Sequence, residues 1–242
     1  MGEIPMPGGW SMSAMWMPMC GQSWLGAALT FVGMWTWMMA AMMLPLWTPA
    51  WRRFLSRYRS PTVHAFLAAH RSPISCWGAA ARTALLTGVC YLLSWAAAGA
   101  IVFALGNALA ANLPHVPMLA RFVPLLSAGL TIIAGAVQFT PWKMTQIACC
   151  RYDHACESPS VVAPVAACKR GGRAALRDGY CCGNLMAVLL VAGVMNLPAM
   201  AGLTAAMSIE RLAPADGRAA YGIGAIVSSI GVYMAARAIL TL

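Results

Sequence analysis

Five long apolar runs, separated by stretches that carry most of the charged residues, dominate the pattern of hydrophobic positions along the chain. They cover about residues 23–47, 82–110, 122–139, 182–207 and 219–242, and none contains an acidic residue. A transmembrane helix needs about 20 mostly apolar residues, and no alternating strand pattern competes with these runs. The pattern predicts an all-α fold, namely a polytopic membrane helix bundle of about five transmembrane helices.

The composition restricts the class of protein in the same direction. Hydrophobic residues make up 61% of the 242 residues and charged residues 9%, whereas a soluble domain carries about 25% charged residues. The mean hydropathy is +0.70. These values exclude a water-soluble globule, which would have to hide too much apolar surface, and they also exclude a disordered chain.

The basic residues predict how the bundle is oriented. With five spans, 13 of the 16 Lys and Arg residues fall on one side, and only Arg121, Arg211 and Arg218 fall on the other. The positive-inside rule then places the N-terminus outside and the C-terminus in the cytoplasm of a bacterial inner membrane. Residues 1–22 become a Met-rich external tail and residues 23–242 a single transmembrane bundle domain. The net charge of +10 comes from short clusters between apolar runs, which argues for a lipid bilayer and against nucleic acid as the partner.

Cysteine side chains concentrate on the predicted cytoplasmic side, where a structural disulfide framework is not expected. Three thiols and an imidazole lie within eight residues: Cys149, Cys150, His154 and Cys156. About 25 residues later, Cys181 and Cys182 stand where the fourth span begins. Thiolates in two- or three-coordinate arrangements suit Cu(I). The alternative interpretation is that these cysteines are small apolar residues that pack at a helix rim.

Methionines extend the possible set of sulfur ligands into the spans. Met34, Met38 and Met42 follow one another at four-residue intervals in the first span, as do Met39 and Met43, so they form adjoining stripes on a helix. Met42 and Met43 are expected near the cytoplasmic rim, at the level of the Cys-Cys pair. Met195 is expected near the middle of the fourth span. Ordinary packing is the competing explanation, because Met fills gaps in apolar cores.

Other positions bear on packing and on catalysis. Asn196 and Pro198 predict a bend inside the fourth span, and Glu210–Arg211 predicts an ion pair at its outer end. In the fifth span Gly224, Ser228 and Gly231 form a stripe of small residues that favours close helix packing, within the bundle or against other membrane subunits. No nucleophile–base pair, phosphate-binding loop or intramembrane His pair occurs in the sequence. We therefore expect neither an enzyme nor an organic cofactor.

Three sequence stretches resemble a bacterial family of predicted metal-binding integral membrane proteins that is sometimes labelled a copper chaperone. They are Trp35-x-x-Met-Met-Ala-Ala-Met-Met-Leu-Pro45, Gln138-Phe-Thr-Pro-Trp-Lys143 leading to Cys150–Arg151, and Cys181-Cys182-x-x-Leu-Met186 followed by Gly193-Val-Met-Asn-Leu197 and Glu210. The chain differs from the pattern at Gln146 and Asp178, where the family has Cys, and at Gly183 and Ala199, where it has Trp. The resemblance implies a metal-binding role for the second and third stretches.

Together these features predict a five-span membrane protein that binds a soft metal ion, most simply Cu(I), for copper handling or for delivery to a membrane copper enzyme. The predicted ligands are Cys149, Cys150, His154, Cys156, Cys181, Cys182, Met42, Met43 and Met195. The alternative is a non-catalytic accessory subunit of a larger membrane complex, such as a copper-containing monooxygenase or a respiratory or photosynthetic complex. In that case the stripe on the fifth span would bind a neighbouring subunit.

Overall fold

The structure, a computed structural model, consists of seven α-helices and one short hairpin within the residues that it describes. These are residues 3–6, 10–13, 21, 23–58, 73–156, 163–193, 196–213 and 217–241. The helices are α1 (Trp24–Tyr58), α2 (Pro73–Asn112), α3 (Pro117–Val137), α4 (Pro141–Cys156), α5 (Pro164–Ala192), α6 (Leu197–Leu212) and α7 (Arg218–Thr241). A single turn of 3-10 helix, Leu113–His115, joins α2 to α3.

Proline marks most of the helix starts. α2, α3, α4 and α5 each begin at a proline, whose fixed φ suits the first helical position and whose missing N–H is not needed there. α1 begins differently, because the Ser23 hydroxyl accepts a hydrogen bond from the Gly26 N–H at 3.2 Å. Such caps satisfy the N–H groups that a helix start leaves without an intrahelical partner.

An N-terminal β-hairpin departs from the all-α expectation. Strand β1 (Glu3–Met6) pairs antiparallel with β2 (Trp10–Ser13), with Glu3 opposite Ser13 and Met6 opposite Trp10. The hairpin lies in the segment that was predicted as a Met-rich external tail. It precedes the helical bundle and leaves the all-helical character of the rest of the described chain unchanged.

Helices α1, α2 and α5 pack side by side. α1 and α2 are antiparallel, since Phe31 contacts Phe103 with tilted rings whose centroids are 5.3 Å apart and Trp35 covers Gly99. α2 and α5 run in the same direction. Their backbones approach closely at Gly171, where a Cβ atom would lie 3.0 Å from the amide nitrogen of Tyr91. Glycine at this position therefore allows the two helices to touch.

A sharp bend separates α3 from α4. The two helix axes meet at 68° across Gln138, Phe139 and Thr140, because Pro141 cannot continue the hydrogen bonding of α3 and instead starts α4. α7 packs antiparallel to α3, and the small residues of α7 lie along the contact. A Cβ atom on Gly224 would lie 2.8 Å from Cβ of Gln138. The stripe that was predicted for close packing is thus in contact with α3 of the same chain.

The fourth predicted span, residues 182–207, is wrong as a single helix. α5 begins at Pro164, well before Cys182, and ends at Ala192. Gly193 then has φ +96°, which L side chains rarely adopt. Asn196 caps α6 by accepting a hydrogen bond from the Ala199 N–H at 3.1 Å. The predicted bend is therefore a turn, and α6 folds back along α5 as a helical hairpin.

The hairpin also changes the predicted relation between the two chain ends. α1 is antiparallel to α2, so α1 starts at the end of the bundle where α2 ends. α3 starts at that same end, after the turn Leu113–His115, and α7 is antiparallel to α3 and therefore ends there. The start of α1 and the end of α7 thus lie at the same end of the bundle. The five-span prediction placed them at opposite ends, because it missed the return of the chain through α6. We call the end formed by the starts of α2, α5 and α7 the basic end.

Several helices are long and apolar enough to span a membrane. The stretches are Trp24–Met43, Ala81–Asn112, Pro164–Ala192 and Arg218–Leu240, and the bent pair α3–α4 makes a fifth when it is counted as one span. α6, with 16 residues, is shorter than these. The number of candidate spans agrees with the prediction, although α5 and not residues 182–207 provides the fourth.

Candidate metal site

The α5–α6 hairpin brings charged residues of distant sequence position together inside the bundle. Asp178 lies 14 residues before the end of α5, and Arg211 lies 14 residues after the start of α6. At 1.5 Å per residue both are about 21 Å from the turn. Arg211 Nη2 contacts Asp178 Oδ1 at 2.7 Å, and both side chains are buried. The Tyr91 hydroxyl on α2 donates to the second carboxylate oxygen, Oδ2, at 2.9 Å.

A second buried ion pair lies next to the first. Lys143 Nζ, on α4, is 3.3 Å from Glu210 Oε2, and both side chains are almost entirely buried. The Gln138 amide donates to the other Glu210 oxygen. Lys143 also donates to the backbone carbonyl of Cys181 at 2.5 Å and to Oδ1 of Asn184 at 3.2 Å. The bend between α3 and α4 is what directs Gln138 and Lys143 toward α6.

Two vicinal thiols lie between these ion pairs. Cys181 and Cys182 are each 1% exposed, and neither forms a disulfide. Arg211 Nη2 donates to the Cys182 sulfur at 3.4 Å, while the backbone of Cys181 accepts from Lys143. Consecutive residues of α6 therefore contact the two cysteines of α5. Glu210 reaches the backbone of Cys181 through Lys143, and Arg211 contacts the sulfur of Cys182 directly.

Thioethers from three helices belong to the same buried cluster as the two thiols. α1 contributes four methionines, α5 one and α6 one: Met38, Met39, Met42, Met43, Met186 and Met207. Met34 and Met200 pack against the cluster from its partly exposed border. Because α1 and α6 run in the same direction, their methionines lie at successive depths in the bundle, and both sets approach the basic end with increasing residue number. The cluster thus combines soft sulfur donors with a charge-balanced polar network.

A comparison with protein-family models matches the chain to a family described as PpoB2, copper chaperone, over residues 32–234. The protein belongs to this copper chaperone family. The matched region contains α2 to α6 in full, most of α1 and α7, and both ion pairs. No curated protein and no solved structure gives a significant match. The match confirms the copper chaperone label that the three sequence motifs suggested.

The predicted copper ligands differ in where they lie in the structure. It places Cys181, Cys182, Met42 and Met43 in one buried cluster, whereas Cys149 is exposed on α4. The side chains of Cys150, His154 and Cys156 lie outside the described part of the chain, and so does the whole of Met195. Over the described ranges, no group of three or more His, Cys, Asp and Glu side chains is placed to hold a metal. Additional ligands within this part of the structure would therefore have to be methionines.

One pair of cysteines is oxidised, contrary to the expectation of reduced thiols. Cys90 on α2 and Cys168 on α5 form a disulfide with Cα atoms 5.1 Å apart. The disulfide links the two parallel helices one turn from the close contact at Gly171. It also removes both residues from the set of possible metal ligands in this state.

Sequence reasoning missed the polar network around the thiols. Glu210 and Arg211 were predicted as an ion pair with each other at an outer rim, but each pairs with a residue of another helix. Asp178, noted only as a position where the family has Cys, binds Arg211. The sequence contained a signal: ionisable residues beside apolar helices are rare and usually have partners inside the bundle. Asp178 and Arg211 are equally far from the Gly193–Pro198 segment, and a turn at that segment would have predicted that they pair.

Proposed function

We propose that this protein binds Cu(I) as cargo inside the membrane bundle and delivers it to an acceptor, as a membrane copper chaperone. The observation that carries the proposal is the buried vicinal pair Cys181–Cys182, which lies in a core that also buries methionines of α1 and α6, and which Arg211 contacts at Cys182. Membership in the copper chaperone family supports the metal. It also points to a non-catalytic role, because a chaperone transfers its cargo without a covalent reaction.

The chemistry of the cluster favours Cu(I) over harder or more highly charged ions. Thiolate and thioether sulfur are soft ligands that prefer Cu(I), which is stable with two or three of them. The surrounding network contains two carboxylates, Asp178 and Glu210, and two cations, Arg211 and Lys143. The two negative and two positive charges of this network cancel when no metal ion is bound. A monovalent ion bound to one thiolate keeps this balance, whereas a divalent ion adds a charge that a low-dielectric interior disfavours.

The arrangement of thioethers supports a route for the ion. α1 and α6 both run toward the basic end, so Met34 comes before Met42 and Met43 in that direction, and Met200 comes before Met207. We infer that Cu(I) passes along these thioethers between the end opposite the basic end and Cys181–Cys182. Weak, neutral ligands at several depths would let the ion move without a large barrier at any single step.

The positive-inside rule gives this route a direction relative to the membrane. Of the 14 basic residues that lie in the described helices, 12 fall on the side of the basic end, and only Arg121 and Arg237 fall at the other. We propose that the basic end faces the cytoplasm of a bacterial inner membrane and that both chain ends are outside. This charge asymmetry is stronger than the one obtained with five spans.

Binding to other membrane subunits, the alternative role, stays a prediction. The stripe of Gly224, Ser228 and Gly231 was expected to serve such a contact, but it packs against α3 within the chain. A partner would need another face of α7 or another helix. Among the described residues no contact favours that role over copper binding.

Copper competition tests the proposal directly. Purified protein in detergent is equilibrated with Cu(I) and a chromophoric Cu(I) chelator, and the bound metal is counted. We expect about one tightly held Cu(I) per chain, loss of that copper in the double variant Cys181→Ser/Cys182→Ser, and no loss in Cys149→Ser, whose thiol is exposed on α4. Wild-type retention in the double variant would contradict the proposal.

A further inference from the structure

The first half of α5 carries basic side chains on a surface that the bundle leaves open. Lys169 and Arg173 are exposed and one turn apart, and Arg170 and Arg177 lie beside them, half-buried. We call Lys169 and Arg173 the basic face of α5. Leu176 and Tyr180 lie on the same side of the helix as this basic face. Successive residues of the series 169, 173, 176 and 180 are three or four positions apart, which is about one helical turn.

The acidic side chains that the structure describes lie inside the bundle and not on the basic face of α5. Asp178 and Glu210 are the two acidic residues whose side chains the structure describes, and both are buried in the pairs with Arg211 and Lys143. Arg82 and Arg218 are also exposed at the basic end. The described surface of this end therefore presents several exposed basic side chains, to which an anionic ligand would be attracted.

The neighbouring side chains indicate which kind of anion fits. Leu176 and Tyr180 are each 64% exposed and follow Lys169 and Arg173 on the same side of α5. The surface therefore changes from basic to apolar within about two helical turns. Trp142 on α4 is 50% exposed near the same end. A basic rim followed by aromatic and aliphatic side chains matches a lipid molecule, with a charged head group and an apolar tail.

We propose that the basic face of α5 binds the head group of an anionic phospholipid, with the acyl chains lying along Leu176 and Tyr180. Lys169 and Arg173 contact the phosphate, and the paired position of two cations one turn apart lets them share it. This inference does not depend on copper binding, since it rests on charge and exposure at the surface of α5 and not on the thiols.

Native mass spectrometry of the full chain tests the lipid site. Delipidated protein is titrated with phosphatidylglycerol or with phosphatidylcholine, and lipid adducts are counted. Wild type is expected to retain phosphatidylglycerol preferentially. Lys169→Gln/Arg173→Gln should weaken that binding about tenfold or more, because each basic residue near a head group contributes several-fold to affinity.

The control removes the same charge from the opposite end. Arg121→Gln/Arg237→Gln alters two exposed basic residues there and should leave phosphatidylglycerol binding within about twofold of wild type, because these residues lie away from the proposed site. Melting curves of both variants establish that each is folded. Equal losses in the two double variants, or no loss in Lys169→Gln/Arg173→Gln, would overturn the proposal.

Discussion

Arg211 of α6 donates to the sulfur of Cys182 on α5 at 3.4 Å, although 29 positions separate the two residues in the chain. The contact exists because α6 returns along α5 after the turn at Gly193. The same guanidinium group holds Asp178 at 2.7 Å, so the thiol is connected to an ion pair that also involves Tyr91. Any change in the α5–α6 hairpin therefore changes the surroundings of the thiol.

The first prediction concerns the Asp178–Arg211 pair. Asp178→Asn leaves the buried guanidinium without its carboxylate and should destabilise the protein by about 3–5 kcal/mol. The double variant Asp178→Asn/Arg211→Gln removes both charges and should be less destabilised than the sum of the two single variants. Thermal or denaturant unfolding of all four proteins measures the coupling. Additive effects would show that the pair is not coupled.

The second prediction concerns Lys143, which connects three elements. Lys143→Met removes the ion pair with Glu210 and the bonds to Cys181 and Asn184, and should cost about 3–5 kcal/mol. Glu210→Gln in the same chain should recover part of this loss, because the isolated carboxylate is then absent. The unfolding midpoints of the single and double variants report the recovery. A double variant as unstable as the sum of both would be inconsistent with a coupled pair.

The third prediction concerns the contact between α3 and α7. Gly224→Leu introduces a side chain whose Cβ alone would lie 2.8 Å from Gln138, and overpacking of this kind costs about 1–3 kcal/mol. Since Gln138 donates to Glu210, Cu(I) retention should fall together with the melting temperature. Gly222→Leu is the matched control, because no atom lies within 4 Å of a Cβ there. Equal behaviour of the two variants would show that α7 does not pack as described.

The fourth prediction concerns topology. Reporter fusions after Pro214 and in residues 59–72 should both report the cytoplasm, and a fusion after Leu242 should report the exterior. The reason is the basic asymmetry combined with the extra pass through α6. Fusion activity in intact cells is the measurement. A cytoplasmic signal at Leu242 together with an external one at Pro214 would restore the five-span arrangement and contradict the hairpin.

Most of the helices were predictable from the sequence, whereas the hairpin was not. Hydropathy identifies apolar runs but does not distinguish one helix from two that meet at a tight turn, because Gly193, Leu197 and the alanines nearby are as apolar as the helices. Local signals were present: Asn196 as a helix cap with Pro198 in the first turn is a typical helix start. A turn at this position makes α6 antiparallel to α5, and the start of α1 and the end of α7 then lie at the same end of the bundle.

The sequence predicted the sulfur ligands, which stay a prediction as a metal site, and it did not predict the charged contacts around Cys181 and Cys182. Cys181, Cys182, Met42 and Met43 were grouped by expected depth, and the structure places them in one buried cluster. The pairing of Asp178 with Arg211 depends on the helix reversal, and that of Lys143 with Glu210 depends also on the bend at Pro141. Such long-range contacts follow from tertiary structure, which spacing along the chain does not encode.

X-ray absorption at the copper edge shows directly whether Cys181 and Cys182 bind the metal. Wild-type protein loaded with one equivalent of Cu(I) is compared with Cys181→Ser/Cys182→Ser. We expect a shell of about two to three sulfur atoms and no nitrogen or oxygen in the wild type, and loss of bound copper or of thiolate sulfur in the variant. A wild-type spectrum dominated by nitrogen or oxygen, or one that the double substitution leaves unchanged, would contradict it.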